Sequence, residues 1–178
     1  ASTPRRGLID RPEGQDAPSI LTQVRFAIIG AGRLGCSLAL ALESAGARLV
    51  GFVSAHSGEE AAALLGMPPA PGLAALVAAR PTHYFITVPD SALPSVAAEL
   101  ARELATTEWG DEPPMVLHTS GATSVAALAA CQKAGARTLV FHPLQTFSEP
   151  VSGARRFPGT AVAVTAAADG VALQAGFA

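Results

Sequence analysis

Apolar residues come in short bursts, and the spacing inside each burst alternates between two kinds. Residues 24–29 form a short apolar run of the sort expected of a strand buried on both faces. Leu34, Leu38 and Leu42 then recur every fourth residue, which is the stripe of a helix that Gly46 ends. A second strand is predicted over 48–53. A short helix follows over 57–65, with Ser57 as its cap and Glu59 and Glu60 in the first turn, where the helix dipole favours acids. A proline-rich bend at 67–72, with room for a short strand, leads into a small helix ending at Ala79. Further strands are predicted over 83–88, 115–118, 137–141 and 160–164. Between them lie a helix with Val96, Leu100 and Leu104 on one face, capped by Asp90 or Ser91, an acidic loop at 108–114, and a helix over 124–133 stopped by Gly135. Strands alternating with short helices imply right-handed crossovers and a doubly wound, mostly parallel α/β sheet.

Residues 1–23 are polar, mixed in charge and without a period; they are expected to be a flexible arm, with order beginning at Val24. The 178 residues suit one domain with a tail. The chain holds 38 alanines and only 5% aromatic residues, so its core is finely grained. A net charge of −2 argues against a nucleic-acid partner, which would call for a basic face. Cys36 and Cys131 sit inside apolar helical patterns and match no metal spacing, so no metal site and no disulfide framework is expected; a reducing cytoplasm is the default compartment. No apolar run reaches eighteen residues, and the first residues lack the apolar stretch of a secretory signal, so no membrane association is expected.

The first strand runs directly into Gly30-Ala31-Gly32-Arg33-Leu34-Gly35, which opens the first helix. A G-x-G-x-x-G turn in that context is a dinucleotide-binding signal. Gly30 makes the tight turn, Gly32 lets the backbone approach a pyrophosphate, and Gly35 allows the helix to pack against the sheet. The helix start offers unpaired N–H groups to the phosphate; the alternative is a purely structural turn. An NAD binder usually carries Asp or Glu about 20 residues further on. Here the second strand ends in Val53-Ser54-Ala55-His56-Ser57, with no acid. Ser54, His56 and Ser57 are therefore candidates to donate to a 2′-phosphate, with Arg33 stacking on the adenine or pairing with that phosphate, which favours NADP over NAD.

Ligands of open α/β sheets lie outside the carboxyl ends of the strands. Three later strand ends are polar: Thr87-Val88-Pro89-Asp90-Ser91, His118-Thr119-Ser120-Gly121-Ala122 and His142-Pro143-Leu144-Gln145-Thr146-Phe147. Thr87, Val88 and Pro89 are placed along the pyrophosphate and nicotinamide ribose, while Asp90 has a ready role as a helix cap. Ser120 is either a cap or a contact to nicotinamide or substrate. His118 and His142 either relay a proton to a carbonyl or are held by backbone groups. No G-x-S-x-G elbow surrounds Ser120, so a serine nucleophile is not expected.

With these segments in view the chain resembles a bacterial family of NADP-dependent oxidoreductases. They have a Rossmann NAD(P)-binding fold followed by a helical domain of unknown function, and are similar to ketopantoate reductases and pyrroline-5-carboxylate reductases. The resemblance runs from Val24 to about Val164. It implies hydride transfer from NADPH to a small carbonyl or imine, ketopantoate among them, in a homodimer that needs the C-terminal helical domain. On this comparison residues 24–165 are the cofactor domain and 166–178 begin a linker to a domain that the chain lacks. The related β-hydroxyacid enzymes take a catalytic lysine from their second domain; Lys133, in a helix C-terminal turn, is not its equivalent. The competing reading is a dinucleotide-binding module that reports redox state to a partner without catalysis; a further possibility is self-association through apolar surface meant for the lacking domain.

Overall fold

The computed structural model describes residues 20–166. The expected arm therefore lies outside the described residues, except for Ile20–Gln23, which form a 3-10 turn rather than an irregular arm. The expected linker segment lies outside them as well, apart from Ala166.

Six strands make one sheet: β1 (Arg25–Ile29), β2 (Arg48–Val53), β3 (His83–Ile86), β4 (Met115–His118), β5 (Arg137–Pro143) and β6 (Val162–Ala166). Their order is β2-β1-β3-β4-β5-β6. The first five run parallel, and β6 pairs antiparallel along β5. The helices are α1 (Arg33–Ser44), α2 (Gly58–Leu65), α3 (Leu73–Ala78), α4 (Leu93–Ala105), α5 (Ala129–Lys133) and α6 (Pro150–Arg155). The chain steps from β1 outward to β2, then crosses back over β1 to β3, so the strand order reverses between β1 and β3. That reversal opens a crevice at the carboxyl ends of β1 and β3, where doubly wound sheets bind their ligands.

The sheet is buried on both faces because successive side chains point to opposite sides. Phe26 and Ile28 enter one layer with α1, α2 and Ala154 of α6, while Ala27 and Ile29 enter the other with α3 and α4. In the first layer Phe26, Phe85 and Phe141 form an edge-to-face ladder across β1, β3 and β5, with centroids 6.2 and 6.0 Å apart. Each such pair adds about 0.5–1.5 kcal/mol beyond its buried area. With few aromatics available, this ladder supplies much of the bulk that alanine cannot. Helices α1 and α6 approach closely at Gly153, where a Cβ would strike the buried Ser37 hydroxyl and lie 3.0 Å from Phe147.

Several expectations need correction. The strand expected over 83–88 ends at Ile86. The helix expected over 124–133 begins as a 3-10 turn at Val125–Leu128 and becomes α-helical only from Ala129. The bend at 67–72 holds no strand, only a single 2.7 Å bond from Ala70 N–H to the Phe52 carbonyl. Helix α6 was not anticipated, although its start is written in the sequence. Glu149 accepts from the N–H groups of Val151 and Ser152 at 2.8 and 2.7 Å, and Pro150 opens the first turn. Among the described residues no helix is long and apolar enough to cross a membrane.

Candidate functional site

The glycine-rich turn joins β1 to α1 at the reversal point. Gly30 has a φ of +100°, and a Cβ there would lie 2.8 Å from Val88 Cγ1 and 3.0 Å from the Thr87 carbonyl. A Cβ on Gly35 would run into the Gly30 carbonyl oxygen and sit 2.7 Å from Thr87 Oγ1. Both glycines are thus demanded by the fold. Gly32 is not. Its φ is −79°, open to any residue, and a Cβ there would meet nothing within 4 Å among the described residues. Gly32 is also the N-cap of α1, and no side chain caps that helix. Among the described residues, the first-turn N–H groups of this twelve-residue helix therefore have no side-chain cap, and they carry the positive end of its dipole.

Two side chains hold this turn from either side, and sequence spacing gave no hint of their partners. The Thr87 hydroxyl donates to the Gly30 carbonyl at 2.7 Å, across 57 residues. Its hydrogen is spent there, so Thr87 staples the turn to the end of β3 and lines the crevice only with its remaining atoms. Ser57 donates to the Ala31 carbonyl at 2.9 Å, across 26 residues. Ser54 must then be the donor in its 2.9 Å contact with Ser57 Oγ. The expected Ser57 side-chain cap on α2 is absent. Neither hydroxyl keeps a hydrogen for a 2′-phosphate in this conformation; the pair fixes the β2–α2 loop against the glycine turn instead. His56 and Arg33 are exposed beside it. The Arg33 guanidinium has no partner among the described residues.

Further along the rim, Val88 is half-buried and Pro89 and Asp90 are exposed. The expected Asp90 or Ser91 cap on α4 is not formed: Ala92 occupies the N-cap position without a side-chain bond. At the ends of β4 and β5 the two histidines part company. His118 is fully buried, its Nε2 bonded to the Ser124 carbonyl at 3.2 Å and its Nδ1 enclosed without a partner among the described residues. Burial pulls its pKa down, opposed by the Ser124 bond and the charge of Asp90. A ring closed off in this way shapes the 119–124 loop and is out of a substrate's reach. His142 is half-buried, its Nδ1–H donating to the Thr119 carbonyl at 2.9 Å. Ser120 is half-buried and accepts from the N–H groups of Ala122 and Thr123 at 3.2 and 3.0 Å. Gln145, in the same polar segment as His142, ties α6 inward by donating to the Gly153 carbonyl at 3.2 Å and accepting from Thr160 at 2.8 Å.

Cys36 and Cys131 are buried, which pushes both thiols up to about 11 and leaves them unreactive. Among the described residues no three His, Cys, Asp or Glu side chains cluster to hold a metal.

A doubly wound sheet with a glycine turn at its reversal point defines a class of nucleotide-binding domains. Residues 12–143 match the family described as Rossmann-like domain, and the chain belongs to it. No curated protein matches the sequence. Among solved structures the chain is similar to a Bacteroides fragilis protein described as an NADP oxidoreductase, with 22% identity, a TM-score of 0.61, and coverage of 84% of this chain and 54% of that one. It is similar to a pyrroline-5-carboxylate reductase of Coxiella burnetii at 12% identity and TM-score 0.61, over 84% and 52% of the two chains. A prephenate dehydrogenase of Aquifex aeolicus, in complex with hydroxyphenyl propionate and NAD+, matches at 19% identity and TM-score 0.59, over 84% and 53%. The chain therefore spans about half the length of these structures, and at such identities the likeness is one of fold.

Proposed function

We propose that this chain is the cofactor-binding part of an NADP(H)-dependent oxidoreductase that exchanges a hydride with a small carbonyl or imine compound. The observation that carries the reading is Gly32: the fold has no need of a glycine there, yet its missing side chain leaves the uncapped start of α1 open. A pyrophosphate fits that space, accepting from the first-turn N–H groups while Gly32 lets it approach the backbone. The adenine ribose then lies at the end of β2 and the nicotinamide half runs past Val88 and Pro89 toward β4 and β5.

Preference for NADP(H) rests on what surrounds the 2′ position. The end of β2 carries no carboxylate to accept from two ribose hydroxyls or to repel a phosphate. Arg33 and His56 are exposed there, and the Ser54–Ser57 pair holds their loop in place. Arginine is the side chain best suited to a phosphate's paired oxygens. The similarity to a protein described as an NADP oxidoreductase supports this choice, while the Aquifex aeolicus structure holds NAD+ on the same fold. Ketopantoate is one ketone of the proposed substrate class.

Calorimetric titration of the chain and of Arg33→Ser with NADPH and NADH tests the reading. The expected result is tighter binding of NADPH, with the advantage lost in Arg33→Ser and NADH affinity held within twofold. Binding of neither nucleotide, or equal loss of both in the variant, overturns it.

A further inference from the structure

We infer that Thr87 is a positioning residue for the cofactor: it acts on the pyrophosphate through the glycine turn and the first turn of α1, and not through a contact of its own with the nicotinamide ribose. The inference rests on the NADP(H) reading above and names the side chain that sets the geometry of that site.

Thr87 is the first residue beyond β3, on the opposite side of β1 from β2. Its backbone N–H donates to the Ile29 carbonyl at 2.8 Å and its hydroxyl to the Gly30 carbonyl at 2.7 Å. One residue thus takes the last carbonyl of β1 and the first of the turn. The same hydroxyl stands 3.4 Å from the Ile29 carbonyl, so its single hydrogen belongs to the shorter bond. Gly30 is held from the other side as well, because its N–H donates to the Val53 carbonyl at the end of β2, at 2.9 Å. The residue at which the strand order reverses is therefore tied to both neighbours of β1. Thr87 also reaches the helix. A Cβ on Gly35 would lie 2.7 Å from Thr87 Oγ1, so the hydroxyl lies against the first turn of α1 as well as the start of the glycine turn.

These contacts matter to a ligand because N–H groups already aimed at an anion bind it without a further ordering cost. A trans peptide is planar, with its C=O and N–H pointing opposite ways. Holding the Gly30 carbonyl toward Thr87 therefore fixes the direction of the Ala31 N–H, and Ser57 does the same for the next unit by holding the Ala31 carbonyl. Gly30, with no side chain and a φ of +100°, does little by itself to stop that peptide from swinging. A turn that swings must be ordered again before it binds, and affinity falls by that cost. The Gly30 carbonyl is not orphaned when the hydroxyl is removed, because the Gly32 N–H donates to it at 2.9 Å. The fold can therefore lose this bond, and the effect falls on the geometry of the turn.

Calorimetric titrations of the chain, Thr87→Val and Thr87→Ser test the inference. The ligands are NADPH and 2′-phospho-ADP-ribose, which keeps the pyrophosphate and lacks the nicotinamide; thermal melts are run beside them. Valine puts a methyl in place of the hydroxyl, whereas serine keeps the donor. Thr87→Val is expected to bind both ligands about 5- to 10-fold more weakly, the net worth of one hydrogen bond. The two losses should agree within twofold, Thr87→Ser should restore both, and the Tm of Thr87→Val should fall by only about 2–4 °C. A loss confined to NADPH means a direct contact with the nicotinamide half and overturns the inference. Unchanged affinity for both ligands with a lowered Tm means a staple that serves stability alone, and overturns it too. In either case the parent still binds, so the NADP(H) reading stands. A parent that binds neither ligand removes that reading and this inference with it. If Thr87→Val does not fold, Thr87→Ala takes its place and the same comparison of the two losses decides.

Discussion

Replacing Gly32 with alanine separates a glycine kept for a ligand from glycines kept for the fold. Among the described residues the new Cβ would meet no atom within 4 Å, at a φ of −79° that alanine adopts freely. The stability cost is therefore only the poorer N-cap, about 0.5–1 kcal/mol. The binding cost is larger, because the methyl occupies the approach of the pyrophosphate to α1. Losing one hydrogen bond to a charged group costs about 1.5–3 kcal/mol, which weakens NADPH about 10- to 100-fold. Gly35→Ala is the contrasting variant. Its Cβ would be forced against the Gly30 carbonyl and to 2.7 Å from Thr87 Oγ1, so it should destabilise by about 1–3 kcal/mol, or several degrees of Tm. Thermal melts by circular dichroism and NADPH titrations of both variants read the two effects. The reasoning is refuted if Gly32→Ala binds NADPH within twofold of the parent, or melts as low as Gly35→Ala.

Other consequences can be measured on the same material. Burial, helped by the charge of Arg137, lowers the His83 pKa from 6.5 to about 4, and burial lowers that of His118. Below pH 6.5 the unfolded chain takes up protons that the native chain refuses, so stability is complete above that pH and falls on acidification toward pH 4, by at most about 3 kcal/mol from His83. Urea melts across that range should show the decline, with a shallower slope in His83→Gln; an unchanged slope there would count against the assignment. Gly153→Ala forces a methyl onto Ser37 and Phe147 between α6 and α1, and should cost about 1–3 kcal/mol in chemical denaturation. A stability equal to the parent would mean that the two helices separate freely.

How much of this could be read from residues alone follows from the range of the interactions. Strand β2 and the small helix at 73–78 were legible because their hydrophobic periods are local, and the glycine turn because strand, turn and helix are contiguous. What was missed lies across the fold. Ser57 reads as a helix cap from its neighbours, yet its hydroxyl finds the Ala31 carbonyl 26 residues away. Thr87 reads as a cofactor contact, yet its hydrogen goes to Gly30 across 57 residues. The two rim histidines look alike in sequence. Only the packing of the 119–124 loop encloses one while Gly121 leaves the other's Nε2 unblocked. The direction of β6 was equally out of reach, because a short exposed strand says nothing of how the chain returns to the sheet.

The central claim is that a dinucleotide places its pyrophosphate on the open start of α1. Amide chemical-shift mapping of the isotope-labelled chain during NADPH titration tests it most directly. The account predicts saturable shifts largest at Gly32, Arg33, Leu34 and Gly35, with a weaker set at the end of β2 and small changes in α4 and α5. Saturable binding that leaves those four amides unmoved, or no binding at all, would contradict it.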